Sequence, residues 1–236
     1  MNEVTGVVVC SNTKDLFQRA YESVRSFHPL LKIIIIDGSN ATDPCYHYVC
    51  SLASEITTVG IYNYNIGHGN GMAAGIQLVK TKFALVFDSD IVMIKSPVAD
   101  MLSMMNEETY GVGAFDYVDD RGFGKHNHSQ AWRDAATKYL HPFFQLINVN
   151  NYFRFPPYVH HGSPCYKAMN EIKRQGLSDR LLIEYPGLSI VNNEGEPGGF
   201  IIHQAAGTRS NRRRRGVPEI EGRWDRGGKI LRRNLL

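Results

Sequence analysis

No stretch of the 236-residue chain approaches the roughly 20 consecutive apolar residues that a bilayer-crossing helix needs; the longest, such as Ile33–Ile36 and Phe83–Phe87, stop at four or five. A soluble chain is the expectation. Cysteine is equally sparse. The four present, Cys10, Cys45, Cys50 and Cys165, form no C-x-x-C pair, and no charged-then-apolar leader precedes the first apolar run. A reducing, cytoplasmic setting fits best, and a fold of this length buries enough surface to stand without disulfides or a structural metal. With 43% apolar and 21% charged residues, 22 Gly and 10 Pro, the composition is also not that of a disordered, collagenous or coiled-coil protein. Net charge is only +3, but it is uneven: residues 209–236 hold ten Lys/Arg against three Asp/Glu, while residues 1–208 hold sixteen against twenty.

What is present is a rhythm. Val4–Cys10 is a β-branched run, and Asp15–Phe27 follows with Leu16, Ala20, Val24 and Phe27 at helical spacing. Leu31–Ile36 is almost continuously apolar, as a strand covered on both faces must be, and ends at the turn cluster Asp37-Gly38-Ser39-Asn40. Tyr46–Ala53 reads as a helix, Ile56–Ile61 as a strand, Met72–Val79 as a helix entered through Asn65-Ile66-Gly67-His68-Gly69-Asn70-Gly71, Phe83–Phe87 as a strand and Pro97–Met105 as a helix. Alternation of this kind predicts an open α/β sheet flanked by helices, which binds ligands beyond the carboxyl ends of its strands, where Ser11, Asp37, Asn65 and Asp88 all fall. Later the rhythm changes: Tyr110–Phe115 and Phe143–Val149 read as strands, Ser163–Gln175 as a helix and Gly199–Ile202 as strand-like.

Three features carry chemistry. Asp88-Ser89-Asp90 closes a buried strand with two carboxylates, hard oxygen donors suited to a divalent cation, although an isolated D-x-D also suits a solvated turn or helix cap. The glycines of the segment 65–71 satisfy neither G-x-G-x-x-G nor the Walker pattern, so they point to close backbone approach rather than ATP or NAD binding. Tyr152, Phe153, Phe155 and Tyr158 offer either an acceptor platform or a packed core cluster, the latter being the commoner fate of aromatics.

The succession Val7-Val8-Val9-Cys10-Ser11-Asn12, Ile33-Ile34-Ile35-Ile36-Asp37-Gly38-Ser39, Asn65-Ile66-Gly67 and Phe87-Asp88-Ser89-Asp90 resembles the GT-A-type nucleotide-sugar glycosyltransferases, particularly family 2, over nearly all of residues 1–208. The resemblance implies a single Rossmann-like GT-A domain over 1–208, an open mixed sheet flanked by helices, with a nucleotide-sugar-binding half (1–105) and an acceptor-binding half (106–208); the basic residues 209–236 form a tail beyond it. It implies that Cys10 and Ser11 border the nucleotide, that Asp37 bonds the base, typically uracil N3, and that Asn65 and Gly67 line the nucleotide and sugar. Asp88, with Ser89, would meet the ribose or metal, and Asp90 would ligate Mn²⁺ or Mg²⁺. His203 is the third ligand candidate, its other reading being a satisfied histidine at a strand end, and Arg209 or Arg212 would reach the diphosphate.

One element of the family pattern is missing. Inverting members carry an acidic segment after the second-half strands, whereas the matching stretch here, Pro157–Tyr166, has no carboxylate. His161, with His160 as substitute, or an aspartate such as Asp116 would then take the acceptor proton. The implied activity is metal-dependent transfer of a hexosyl group from a nucleoside diphosphate sugar, a UDP-sugar above all, to an acceptor hydroxyl of a saccharide. The tail from Arg209 to Arg233, with Trp224 among its arginines, adds a further candidate acceptor, hydroxymethylated DNA in a virus-infected cell, and it equally suits a solvated end or an anionic membrane surface. A non-catalytic binding module with the same fold is the alternative, and a nucleotidyltransferase a more distant one.

Overall fold

The apolar runs of the first half become the middle of a sheet. In the computed structural model, which describes residues 2–124, 129–188 and 199–203, β1 (Val4–Cys10) lies between β2 (Lys32–Asp37) and β4 (Phe83–Asp88), with β3 (Thr57–Ile61) outside β2, all parallel. Helices α1 (Lys14–Phe27), α2 (Pro44–Ser51) and α3 (His68–Gln77) return the chain between them. Successive strand side chains face opposite sides. Val8, Ile33, Ile35, Leu85 and Phe87 therefore pack with Phe17, Val24 and Val49 of α1 and α2, while Val7, Ile34, Ile36 and Val86 meet Met72 and Ile76 of α3. Each such buried side chain contributes about 1.5–3 kcal/mol relative to exposure.

The second half extends the same sheet by other means. After the short β5 (Ile91–Met93) and α4 (Val98–Met104), β6 (Gly111–Val118) and, beyond α5 (Gln130–Ala135), β7 (Thr137–Asn148) form an antiparallel pair. β7 lies antiparallel against β4, α6 (Val149–Tyr152), α7 (Tyr166–Arg174) and α8 (Ser178–Leu181) follow, and β8 (Leu182–Glu184) runs parallel to β6. The strand order is β3-β2-β1-β4-β7-β6-β8, the expected open mixed sheet flanked by helices. A separate two-stranded sheet joins β5 to β9 (Ile201–His203), with Ile91 opposite His203. No helix among the described residues is long and apolar enough to cross a membrane.

Several elements depart from the sequence reading. Helix α3 starts at His68 rather than Met72, so Gly69, Gly71 and Gly75 lie inside it. Glycine weakens a helix interior by up to about 1 kcal/mol, yet a Cβ at Gly69 would overlap the Val159 carbonyl, so the close approach of segment 157–164 requires it. Helix α2 starts at Pro44 because Asp43 caps it, its carboxylate accepting the Cys45 N–H at 2.8 Å. β7 begins at Thr137 rather than Phe143, and a register irregularity after Gly113 bends it near His141. Tyr152, Phe155 and Tyr158 are core residues, leaving Phe153 as the exposed member, so these four do not form a platform. The Tyr158 hydroxyl instead donates to buried Gln145 Oε1 at 3.4 Å.

Candidate active site

Parallel register places Cys10 beside Asp37 and Val9 beside Asp88, so the ends of β1, β2 and β4 open along one edge. The turn after β4 carries Asp90 into β5, and the β5–β9 pairing returns His203 to the same spot. One ligand atom from each of Asp88, Asp90 and His203 lies within 4.8 Å of the others. His203 Nε2 is 3.5 Å from both Asp88 Oδ2 and Asp90 Oδ1, and its ring stacks on Phe143 with centroids 4.9 Å apart. His68 at the start of α3 brings its Nε2 to 3.0 Å from Asp88 Oδ1.

The electrostatics follow from burial and this pairing. Burial opposes ionisation of Asp88, but the adjacent His68 and the hydrogen bond from His203 outweigh it and hold the carboxyl far below the usual range. Burial alone would lower His203; its bonds to Asp88 and Asp90 win and raise it to about 9. His68 moves up for the same reason. His141 of β7, whose ring centroid is 6.2 Å from that of His203, goes the other way: burial dominates over the pull of Asp88 and lowers it to about 4.

These residues fit a divalent cation. His203 Nδ1 is buried with no hydrogen-bond partner among the described residues, and buried Asp88 Oδ1 has His68 Nε2 beside it at 3.0 Å. Two carboxylates and one imidazole form a donor set suited to Mn²⁺, with oxygen predominance that Mg²⁺ also accepts.

On the nucleotide side, Asp37 Oδ1 accepts the Ser39 N–H at 3.0 Å, the Ser39 hydroxyl at 2.6 Å and the Cys10 thiol at 3.4 Å. Burial raises Asp37 nonetheless, these hydrogen bonds offsetting only part of it. Its Oδ2 is buried without a partner among the described residues. The Ser11 hydroxyl donates to Gly38 O at 2.9 Å, and left-handed Asn12 gives its N–H to Ser39 Oγ at 2.8 Å, so the loops after β1 and β2 are stitched together. Asn65 Oδ1 accepts the N–H of Gly67, whose φ is +85°, at 2.9 Å. Ser89 is buried between the two aspartates in sequence.

The three candidate bases occupy different surroundings. His160 packs over Gly67, where a Cβ would overlap its ring, and gives its backbone N–H to Asn70 Oδ1 at 3.1 Å. His161 is buried against Tyr166 and Phe123, with centroids at 4.5 and 5.3 Å, and its Nδ1 accepts the Ser163 N–H at 3.0 Å. That bond places the proton of neutral His161 on Nε2, and burial lowers its pKa. Asp116 lies on β6 opposite Tyr139, its Oδ1 accepting the Tyr117 N–H at 2.7 Å. Arg209, Arg212 and the rest of the basic tail lie outside the described residues.

Sequence reasoning missed His68 and His141. The first sat in view within the glycine-rich segment, an imidazole at what proves to be a helix start. The second carries no local signal, since only the antiparallel pairing of Phe87 with Phe144 brings its stretch of β7 to the end of β4.

Comparison with known proteins extends these findings. Residues 6–171 match the family described as Glycosyl transferase family 2. No curated protein matches the chain. Among solved structures, the mannosyltransferase PcManGT from Pyrobaculum calidifontis, in complex with GDP-Man and Mn²⁺, is similar at TM-score 0.58 and 13% identity, over 82% of this chain and 58% of that one. GalNAc-T7 with UDP, GalNAc and Mn²⁺ gives TM-score 0.53 and 13% identity over 71% and 40%. A putative glucose-1-phosphate thymidylyltransferase from Bacillus anthracis, in complex with a sucrose, gives 0.51 and 13% over 92% and 96%. The chain thus spans less than two thirds of the first two structures. At these identities the likeness is one of fold, shared by proteins named as transferases of sugars and of a thymidylyl group. The family match, in contrast, runs from β1 into α7 and takes in all four strand-end motifs, and on that ground the chain belongs to glycosyl transferase family 2.

Proposed function

We propose that the chain transfers a hexosyl group from a nucleoside diphosphate sugar to an acceptor hydroxyl, with Asp88, Asp90 and His203 holding a divalent cation. The convergence of their ligand atoms within 4.8 Å, from a strand end, the following turn and a strand more than a hundred residues later, carries this reading. The family and the GDP-Man, UDP and Mn²⁺ of the two similar glycosyltransferase structures support it. When bound, a Mn²⁺ or Mg²⁺ supplies Lewis-acid neutralisation of the charge appearing on the departing nucleoside diphosphate.

The chain's own residues do the rest. Asp37, with a buried unpartnered oxygen, takes a donor N–H of the base, and a UDP-sugar would present uracil N3 there. Ser11, Asn65 and Gly67 line the donor. His68 orients Asp88, as an outer partner fixes a ligating group. For inverting transfer the acceptor proton must leave as the new bond forms. Asp116, a carboxylate whose Oδ1 accepts the Tyr117 N–H, serves this better in chemical terms than His161, whose accepting Nδ1 is already engaged by the Ser163 N–H. The acceptor is a saccharide.

The absence of any carboxylate in Pro157–Tyr166 favours one second reading, a domain that binds the nucleotide sugar without turnover. Donor hydrolysis separates the two. With Mn²⁺ and a UDP-sugar, an active chain releases UDP slowly without acceptor, and Asp90→Ala stops it. Donor binding with no release, across a panel of sugars and acceptors, would establish the binding domain instead.

A further inference from the structure

The strand order lays the site out along one edge of the sheet. Across β2-β1-β4-β7-β6, Asp37 ends β2, Ser11 follows β1, Asp88 ends β4 and Asp116 lies toward the carboxyl end of β6. Between the last two stands β7, which runs the other way, so its first half lies at this edge. Neighbouring strands are about 4.8 Å apart. A donor with its base at Asp37 and its diphosphate at Asp88, continued in the same direction, brings its sugar to β7, one strand short of Asp116.

His141 is what β7 presents there. Phe144 pairs with Phe87, so His141, earlier in an antiparallel strand, lies past the end of β4. On its other side β7 leaves β6: Gln145 pairs with Gly113 and Leu140 with Phe115, so that 141–144 face the single residue Ala114. Such a bulge gives up ladder hydrogen bonds and re-aims a side chain, and Pro142 within it has no N–H to leave unpaired. The Phe143 N–H goes to His141 Nδ1 at 3.2 Å, which puts the ring's proton on Nε2. Among the described residues Nε2 has no hydrogen-bond partner. The half-buried ring is held edge-on to Tyr139 and His203, with centroids at 5.8 and 6.2 Å.

We infer that His141 binds the transferred sugar, its Nε2–H donating to a hydroxyl of the hexosyl group. The inference rests on the transferase reading of this site and deepens it by giving the sugar a place and a partner. A hydroxyl offers lone pairs to such a donor, and a ring already fixed by its own backbone loses little freedom when the sugar arrives.

Calorimetric titration in Mn²⁺ with UDP, GDP and a panel of their hexose conjugates tests this. Asparagine at 141 keeps an acceptor for the Phe143 N–H and lacks the distal donor; glutamine does the reverse. His141→Asn should bind the bare diphosphate within about twofold of the wild type and the best hexose conjugate about fivefold more weakly, the scale of one lost hydrogen bond. His141→Gln should recover most of that loss. Unchanged affinity of His141→Asn for the conjugate, a loss confined to His141→Gln, or an equal loss for the bare diphosphate overturns the assignment. The first leaves the sugar without this contact, the second makes the ring a prop for Phe143, and the third places it against the diphosphate. A wild type that binds the diphosphate and refuses every conjugate rejects the assignment alone, whereas one that binds neither takes the transferase reading with it. Should His141→Asn fail to fold, His141→Phe, which keeps a ring against Tyr139 and lacks both nitrogens, stands in for it.

Discussion

The two halves of the sheet are built on different principles. From β1 to β3 each strand is followed by a helix, and β1 to β4 pair in parallel in the order β3-β2-β1-β4, so the pattern repeats. From β6 to β9 the order mixes the two directions: β7 against β4 and β6, and β9 back onto β5, run antiparallel, while β8 beside β6 runs parallel. The candidate site lies on the seam. Asp88, Asp90 and His68 come from the repetitive half, His203 and His141 from the other. A regular half supplies fixed strand ends, and the irregular half completes them into chemistry.

If the seam is the working site, removing a ligand from either side should cost the same. Asp90→Ala and His203→Ala are each expected to lower Mn²⁺-dependent UDP release by about 10²–10³, the scale of losing one preorganised stabilising group. A His203→Ala variant with unchanged turnover would confine the site to the first half. The packing across the seam is next. Gly69→Ala would drive a Cβ into the Val159 carbonyl and Pro164, a cost of about 1–3 kcal/mol. Gly162→Ala, with nothing within 4 Å, should stay within about 0.5 kcal/mol. Urea unfolding of the two variants measures the contrast, and equal midpoints would mean that segment 157–164 does not need that approach.

The smallest effect concerns pH. In the metal-free chain, His141 takes up its proton at about 4 rather than 6.5. The unfolded chain therefore binds the proton first as pH falls, and this contribution to stability is complete above 6.5 and declines toward 4. His203, raised to about 9, has the opposite sign: its contribution is complete below 6.5 and is lost as pH rises through 9. Tm measured against pH in EDTA should thus fall on both sides of 6.5. His141→Asn should flatten the acid limb and leave the alkaline one; an unaltered acid limb would show that His141 is not buried neutral.

Much of the regular half could be read from residue order. Ile33–Ile36 and Phe83–Phe87 are apolar at every position because a parallel strand is covered on both faces, and the polar cluster that follows each must be its end. That reasoning put Ser11, Asp37 and Asp88 at one edge, and the register sets the ends of β1, β2 and β4 together there, with Cys10 opposite Asp37 and Val9 opposite Asp88. It failed for α3, whose glycines look like a loop until the backbone that packs against Gly69 is known.

The sequence by itself determined the α/β class, the parallel core and the acidic strand end at Asp88-Ser89-Asp90, because hydrophobic continuity and the abrupt turn to polarity are local properties of a strand covered on both faces. Only the tertiary structure decided that His68 and His141 come up to that strand end beside His203. His141 and His203 arrive through pairings of distant segments, and the free energy that selects such pairings resides in contacts between elements, which no local run of residues encodes.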